Sequence, residues 1–193
     1  MIPAYLDNLQ LPQVFAAYAA MVDTYLQESN TDEHVVDSNA EGISGFVTAS
    51  FGQEENSAEK FFSVENPGGQ TYALMQIDNG IIKSSSTKKC DCALANGISL
   101  CFIEFKTNAY SDKQSNIQKN YKKAIEQLTI TIGFFDNYHT SQGIDFRTLR
   151  TVEAYICFRK GYPRSTSSQM NYQVVFAANN RIPLSFDRKK VLL

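Results

Sequence analysis

Residues 90–107 read CDCALANGISLCFIEFKT. One acid, Asp91, sits among cysteines and small apolar residues. Glu104 and Lys106 follow, separated by Phe105. Both flanks of Asn96-Gly97 look like strands, and Asn-Gly between two such runs is the strongest short-range hairpin signal. The spacing predicts antiparallel strands over 88–95 and 98–107. With Asn96-Gly97 as a two-residue turn, Ala95 faces Ile98, Cys92 faces Cys101 and Asp91 faces Phe102. Opposed residues project to one side of a sheet and alternate residues share a face. Asp91, Glu104 and Lys106 therefore fall on one face. Asp91 and Glu104 become diagonal neighbours with β-carbons roughly 7 Å apart. Cys90, Cys92, Cys101, Ile103 and Phe105 take the other face, which is apolar enough to pack on a helix. Two carboxylates across such a gap can share a hard cation through oxygen ligands. Two alternatives stay open. The hairpin could be a sheet edge whose charges are merely solvated, and a three-residue turn would put Asp91 on the opposite face.

Outward from the hairpin, Pro67-Gly68-Gly69 is a break, and residues 71–77, with 80–83 as a weaker candidate, read as strand. Residues 112–135 place Ile117, Tyr121, Ala124, Ile125, Leu128, Ile132 and Phe135 on one stripe, a long amphipathic helix. A strand is expected over 151–158 and another over 172–178, with 159–171 a Ser-rich loop. On the N-terminal side, 11–28 carries a helical apolar face with Pro12 in its first turn. Residues 29–43 read as a polar, acidic loop and 53–63 as a candidate short helix. The expectation is one α/β domain over 1–193, with a helical portion at 1–66 and an α/β core at 67–193.

Asp91, a hairpin's length, then Glu104-Phe105-Lys106, followed by a long helix and another strand, resembles the PD-(D/E)XK nuclease superfamily, the restriction-endonuclease-like fold. The resemblance covers about Tyr72 to Val175. It implies a central mixed β-sheet flanked by helices, here with an N-terminal helical extension. It implies hydrolysis of phosphodiester bonds, DNA before RNA, in settings such as phage defence. Asp91 and Glu104 would hold Mg²⁺ (or Mn²⁺), with the Phe105 carbonyl as a further ligand. Lys106 would orient the attacking water and stabilise the developing phosphorane charge. Gln127, flanking the apolar stripe of the helix, would support the site, with Lys119 and Lys123 along the same side. An upstream acid could join from Glu54, Glu55 or Glu59. Position 90 departs from the family name, being cysteine and not proline. The Gln-x-x-x-Tyr helix pattern is unmatched, since Gln118 and Tyr121 are three apart. The same fold with a weakened site, acting as a binding or interaction subunit, is the alternative.

Bulk properties frame these readings. The chain has 193 residues, 20% charged, with a net charge of −2, which argues against a uniformly basic nucleic-acid wrapper but not against a local basic groove. Basic candidates for phosphate contact are Lys83, Lys88, Lys89, Lys113 and Arg188-Lys189-Lys190. The four cysteines lack zinc-ligand spacing, and His34 and His139 are remote from them in sequence. Reduced thiols in a cytoplasmic protein are expected. No basic stretch followed by an apolar run opens the chain, so no signal peptide is expected, nor any membrane partner. A homodimer is left open, with the N-terminal helix as one candidate face.

Overall fold

A computed structural model describes residues 1–37, 42–47, 61–159, 161–162 and 166–192. The chain opens with a 3-10 turn over Ala4–Leu9. Two single-turn helices follow, α1 (Leu11–Val14) and α2 (Ala19–Val22), separated by a second 3-10 turn. The helix expected over 11–28 is thus broken. Phe15 and Tyr18 leave helical geometry (φ −103°, ψ 44°; φ −130°, ψ 16°), which buries Leu11, Val14, Phe15 and Val22 in successive turns. Its last residues belong to strand β1 (Leu26–Ser29).

Strands β2 (Glu33–Val36), β3 (Gly45–Val47) and β4 (Phe61–Glu65) come next. The expected loop over 29–43 therefore contains a strand, and the candidate helix over 53–63 ends in one; residues 48–60 lie outside the described residues. Local polarity hid both strands because each is half-buried, with alternate residues such as Val35, Phe62 and Val64 turned inward. Then follow β5 (Tyr72–Gln76), β6 (Cys92–Ala95) and β7 (Ser99–Lys106). After them come α3 (Gln114–Ser141), β8 (Thr151–Phe158), α4 (Thr166–Asn180), β9 (Leu184–Ser185) and β10 (Lys189–Val191). Residues 80–83 form no strand, only an isolated bridge from Asp78 to Ile82. Residues 172–178 are helix, and so is the end of the expected loop over 159–171. A short apolar run is ambiguous between buried strand and helix. Here Phe176 is buried while Val174 and Val175 face out, which is helical spacing.

The fold is α/β, with a central mixed sheet of six strands in the order β1-β5-β6-β7-β8-β9. The first four pair antiparallel, while β7 and β8 pair parallel, Ser99 opposite Thr151 through Lys106 opposite Phe158. The long helix α3 makes the crossover between β7 and β8, as expected. Five of the six sheet-facing residues Ile117, Tyr121, Ala124, Leu128, Ile132 and Phe135 are at most 1% exposed, and Ile117 is 8%. They pack on Ala93, Leu100, Phe102 and Ile156 in one core. The other face of the sheet is covered by a second sheet, in the order β10-β4-β2-β3. A second core lies between the sheets, made by Leu74, Cys92, Cys101, Ile103, Phe105 and Cys157 against Val35, Phe62 and Val64.

This corrects the expected use of the hairpin faces. The Cys101-Ile103-Phe105 face packs on strands, and α3 lies over the face that carries Phe102, Glu104 and Lys106. Cys90 and Cys92 do not share a face: Cys90 joins the helix-side core and Cys92 the core between sheets. The N-terminal portion likewise supplies strands to both sheets and is not a helical appendage. Burial on both faces explains why β5, β6 and β7 read as near-continuous apolar runs.

Candidate functional site

The turn between β6 and β7 sits one residue later than Asn96-Gly97. Asn96 donates its N–H to the Ser99 carbonyl (3.1 Å), so Gly97 and Ile98 form the tip. The Asn96 side chain replaces the main chain on the return. Its Oδ1 accepts from Ile98 N (3.0 Å), Ser99 N (2.8 Å) and Ser99 Oγ (2.9 Å). Neither Asn96 nor Gly97 has the positive φ that a type I′ turn centred on them needs. Moving the turn by one residue moves the register by two, so Cys92 faces Ile103 and not Cys101. A slip of two keeps every side chain on its face. Extended by one step, this register sets Asp91 opposite Glu104 itself.

β6 starts at Cys92, later than expected, whereas β7 continues to Lys106 alongside β8. The two strands part at Asp91. There the Asp91 side chain takes over the ladder, its Oδ2 accepting from Phe105 N (2.5 Å). The Asp91 main-chain carbonyl accepts from both Ile77 N and Asp78 N (3.0 Å each), a bulge that turns the chain away from β7. The loop behind it is tight enough to require glycine: a β-carbon on Gly80 would lie 2.2 Å from the Gln76 carbonyl oxygen. This loop sets Asp78 against the Lys89 ammonium at 3.0 Å.

In the fork between the strands, Glu104 is fully buried and ion-paired to Lys106 through Oε1. Its Oε2 is buried with no hydrogen-bond partner. Lys106 Nζ also donates to the Phe105 carbonyl (3.1 Å) and to Gln127 Oε1 (3.2 Å), while Gln127 Nε2 donates to the Lys89 carbonyl (2.9 Å). Asp91, just before β6, is therefore brought together with Glu104, Phe105 and Lys106 from β7 and Gln127 from α3. Glu54, Glu55 and Glu59 lie outside the described residues.

The sequence reading missed Asp37, which follows β2 and lines a cleft with Phe105 and Lys106. Its signal, in hindsight, is the short run His34-Val35-Val36 closed by an acid, lost in a stretch read as loop. Burial is the main force on these carboxyls. It pushes Glu104 up from 4.5 to about 7, opposed by Lys106 and reinforced by Asp37 and Asp78. It pushes Asp91 well above the usual carboxylate range, reinforced by Glu104 and Asp37 and opposed by Lys106 and the Phe105 N–H. Asp37 is raised by burial and by Asp78, against the pull of Lys106.

The basic candidates are mostly engaged. Lys88 pairs with Glu126 (2.6 Å), Lys89 with Asp78, Lys189 with Glu65 (2.9 Å) and Lys190 with Glu153 (2.5 Å). Lys83 and Arg188 lie over the rings of Tyr25 and Phe61. The four cysteines are free and buried.

Among the described residues, no group of three or more His, Cys, Asp or Glu side chains is placed to hold a metal, and no helix is long and apolar enough to cross a membrane. The smaller donor set fits a hard cation that keeps most of its water. Mg²⁺ typically takes one or two carboxylates, and the orphaned Glu104 Oε2 is an acceptor with no donor of its own. The Lys106 ammonium touches the Glu104 carboxylate and the Phe105 carbonyl, so those oxygens already face a positive charge. No protein-family model matches the chain, and neither does any curated protein or solved structure.

Proposed function

We propose that the chain is a divalent-metal-dependent nuclease that hydrolyses phosphodiester bonds of DNA, of the PD-(D/E)XK type. One observation carries the reading: two buried carboxylates, Asp91 and Glu104, meet a lysine, Lys106, where two central strands part. A buried acid pair with raised proton affinity stores repulsion that a bound cation relieves. Asp91, Glu104 and the Phe105 carbonyl are the oxygens that would hold Mg²⁺ or Mn²⁺. Such an ion, when bound, polarises the phosphoryl oxygen and acidifies a water.

The protein's own groups then have separate roles. Asp91 is held in place by the Phe105 N–H. Gln127 fixes the Lys106 ammonium by accepting a hydrogen bond from it through Oε1. Lys106 supplies positive charge where negative charge develops on the phosphoryl group. The low-dielectric wall of the two cores strengthens these interactions. The ion pairs of Lys88, Lys89, Lys189 and Lys190 favour a second reading, a nuclease-fold subunit that binds or interacts without cutting.

The test is incubation of single- and double-stranded DNA and RNA with Mg²⁺, Mn²⁺ or chelator, beside the Lys106→Ala protein. Metal-dependent cleavage is expected, with the rate falling by about two orders of magnitude or more in the variant. No cleavage under any condition leaves the binding-subunit reading.

A further inference from the structure

Next to Lys106 opens a cleft of about 290 Å³ whose polar lining is Asp37, Thr107, Asn108, Asn120 and Lys123. Among the described residues no ion pair engages Lys123, unlike Lys88, Lys89, Lys189 and Lys190. Gln127, Lys123 and Asn120 step along α3 by four and three residues, which puts them on one face of the helix. At 1.5 Å rise per residue, Asn120 lies about 10 Å along the axis from the Gln127 level, the span of one to three nucleotide steps. The polar stripe therefore runs from the Lys106 cluster outward over the cleft.

An exposed aromatic group follows the lining residues in sequence. Ala109 lines the cleft, and the next residue, Tyr110, is 57% exposed. The Arg159 guanidinium lies over the Tyr110 ring at 4.7 Å, and its buried Nε has no hydrogen-bond partner. Tyr162 pins the same loop by donating its hydroxyl to the Ser111 carbonyl at 2.8 Å. An exposed ring backed by a guanidinium is the kind of platform on which an unpaired base stacks.

We propose that this cleft binds one strand of unpaired DNA. Lys123 and Asn120 contact a phosphate adjoining the one at Lys106, and a base stacks on Tyr110. The proposal rests on the nuclease reading of the neighbouring cluster and adds the strand state of its substrate. Three observations favour a single strand over a duplex. The cleft sits at the lower limit of small-molecule pockets, roughly 300 Å³, and the stacking platform needs a base free of its partner. Four of the eight described lysines outside the cleft, Lys88, Lys89, Lys189 and Lys190, are held in ion pairs, which reduces the basic surface offered to two backbones.

Binding is measured in chelator, where no cleavage interferes, using a short fluorescent oligothymidine and the same strand annealed to its complement. The wild type is expected to bind the single strand more tightly than the duplex. Lys123→Gln should weaken binding and reduce the log–log salt slope by about 0.7, the value for one phosphate contact on a single strand. Tyr110→Ala should lower affinity by about fivefold or more, and Tyr110→Trp should restore it. Lys122→Gln, at an exposed position of α3 that does not line the cleft, should change neither affinity nor slope. The proposal is overturned if the duplex binds as tightly, if Lys123→Gln and Lys122→Gln behave alike, or if the wild type binds no single strand. Metal-dependent cleavage that is indifferent to Lys123 removes the subsite and leaves the nuclease. Binding that depends on Lys123 and Tyr110 without cleavage at any metal concentration keeps the subsite and removes the nuclease.

Discussion

Glu104 holds its proton more tightly in the folded chain than in the unfolded one, because burial raises it from 4.5 to about 7. The favourable contribution is therefore complete below about pH 4.5 and is lost as pH rises through about 7. Asp91 is shifted in the same direction. Metal-free protein should be more stable in urea at pH 5 than at pH 8, by on the order of 3 kcal/mol from Glu104. Glu104→Gln should flatten that dependence, and equal stability of the wild type at both pH values would refute the buried-acid geometry. Asp91 needs a gentler substitution. Asp91→Asn keeps an acceptor for the Phe105 N–H while removing one charge from the cluster, so it should raise the metal-free melting temperature. Asp91→Ala leaves that buried N–H unpaired at a cost of about 1–3 kcal/mol. Added Mg²⁺ or Mn²⁺ should raise the wild-type melting temperature and not that of Asp91→Asn; an equal rise in both would remove Asp91 from the ligand set. At this scale the sequence named Asp91, Glu104 and Lys106, because these charges stood in otherwise apolar runs, and Gln127 through the family resemblance of the helix that follows. It missed Asp37, whose neighbours are polar in sequence and whose place in the cleft depends on a strand that local pattern did not reveal.

The β6–β7 hairpin separates a reading of turn residues from the geometry they adopt. If Gly97 supplied a positive φ, Gly97→Ala would be costly. In the fold its φ is not positive and a β-carbon there would meet nothing within 4 Å. Gly97→Ala should therefore be close to neutral. Asn96→Ala should cost about 2 kcal/mol, since it strips the acceptor from Ile98 N, Ser99 N and Ser99 Oγ at a buried position. Urea denaturation of the two variants decides between the turns: a costly Gly97→Ala with a mild Asn96→Ala would restore the Asn96-Gly97 turn. The shared face of Glu104 and Lys106 does not depend on the register, because pleat parity depends only on whether a slip is even, whereas Asp91 lies where the strands part and its side chain accepts from the Phe105 N–H. α3 was legible for a related reason. Its stripe, from Ile117 to Phe135, repeats over about five turns of helix, far longer than any strand alternation. The broken helix over 11–28 shows the opposite: one apolar face at helical spacing also suits successive short turns when buried aromatics such as Phe15 compete for the same core.

Across the whole molecule, the second sheet is what the hairpin's Cys101-Ile103-Phe105 face packs against. Phe62 is fully buried there and meets Tyr155 edge-on, with ring centroids 5.0 Å apart. Phe62→Ala should destabilise the fold by about 3–5 kcal/mol and lower the stability of the Asp91–Glu104 cluster with it. A calorimetric scan should show one transition shifted down as a whole; a separate early transition that leaves the remainder unchanged would mean the second sheet is an independent unit. The sequence by itself determined the α/β class, the parallel β7–α3–β8 crossover and the shared face of Glu104 and Lys106. These rest on periodicity and parity, which are local and repeat within each segment. Only the tertiary structure decided which layer covers which face, that residues 26–65 contribute strands, that 172–178 is helix, and that Asp37 joins the cleft. Those outcomes depend on which partner a half-buried segment meets, and alternating or short apolar runs of such segments are compatible with more than one partner until the core has formed.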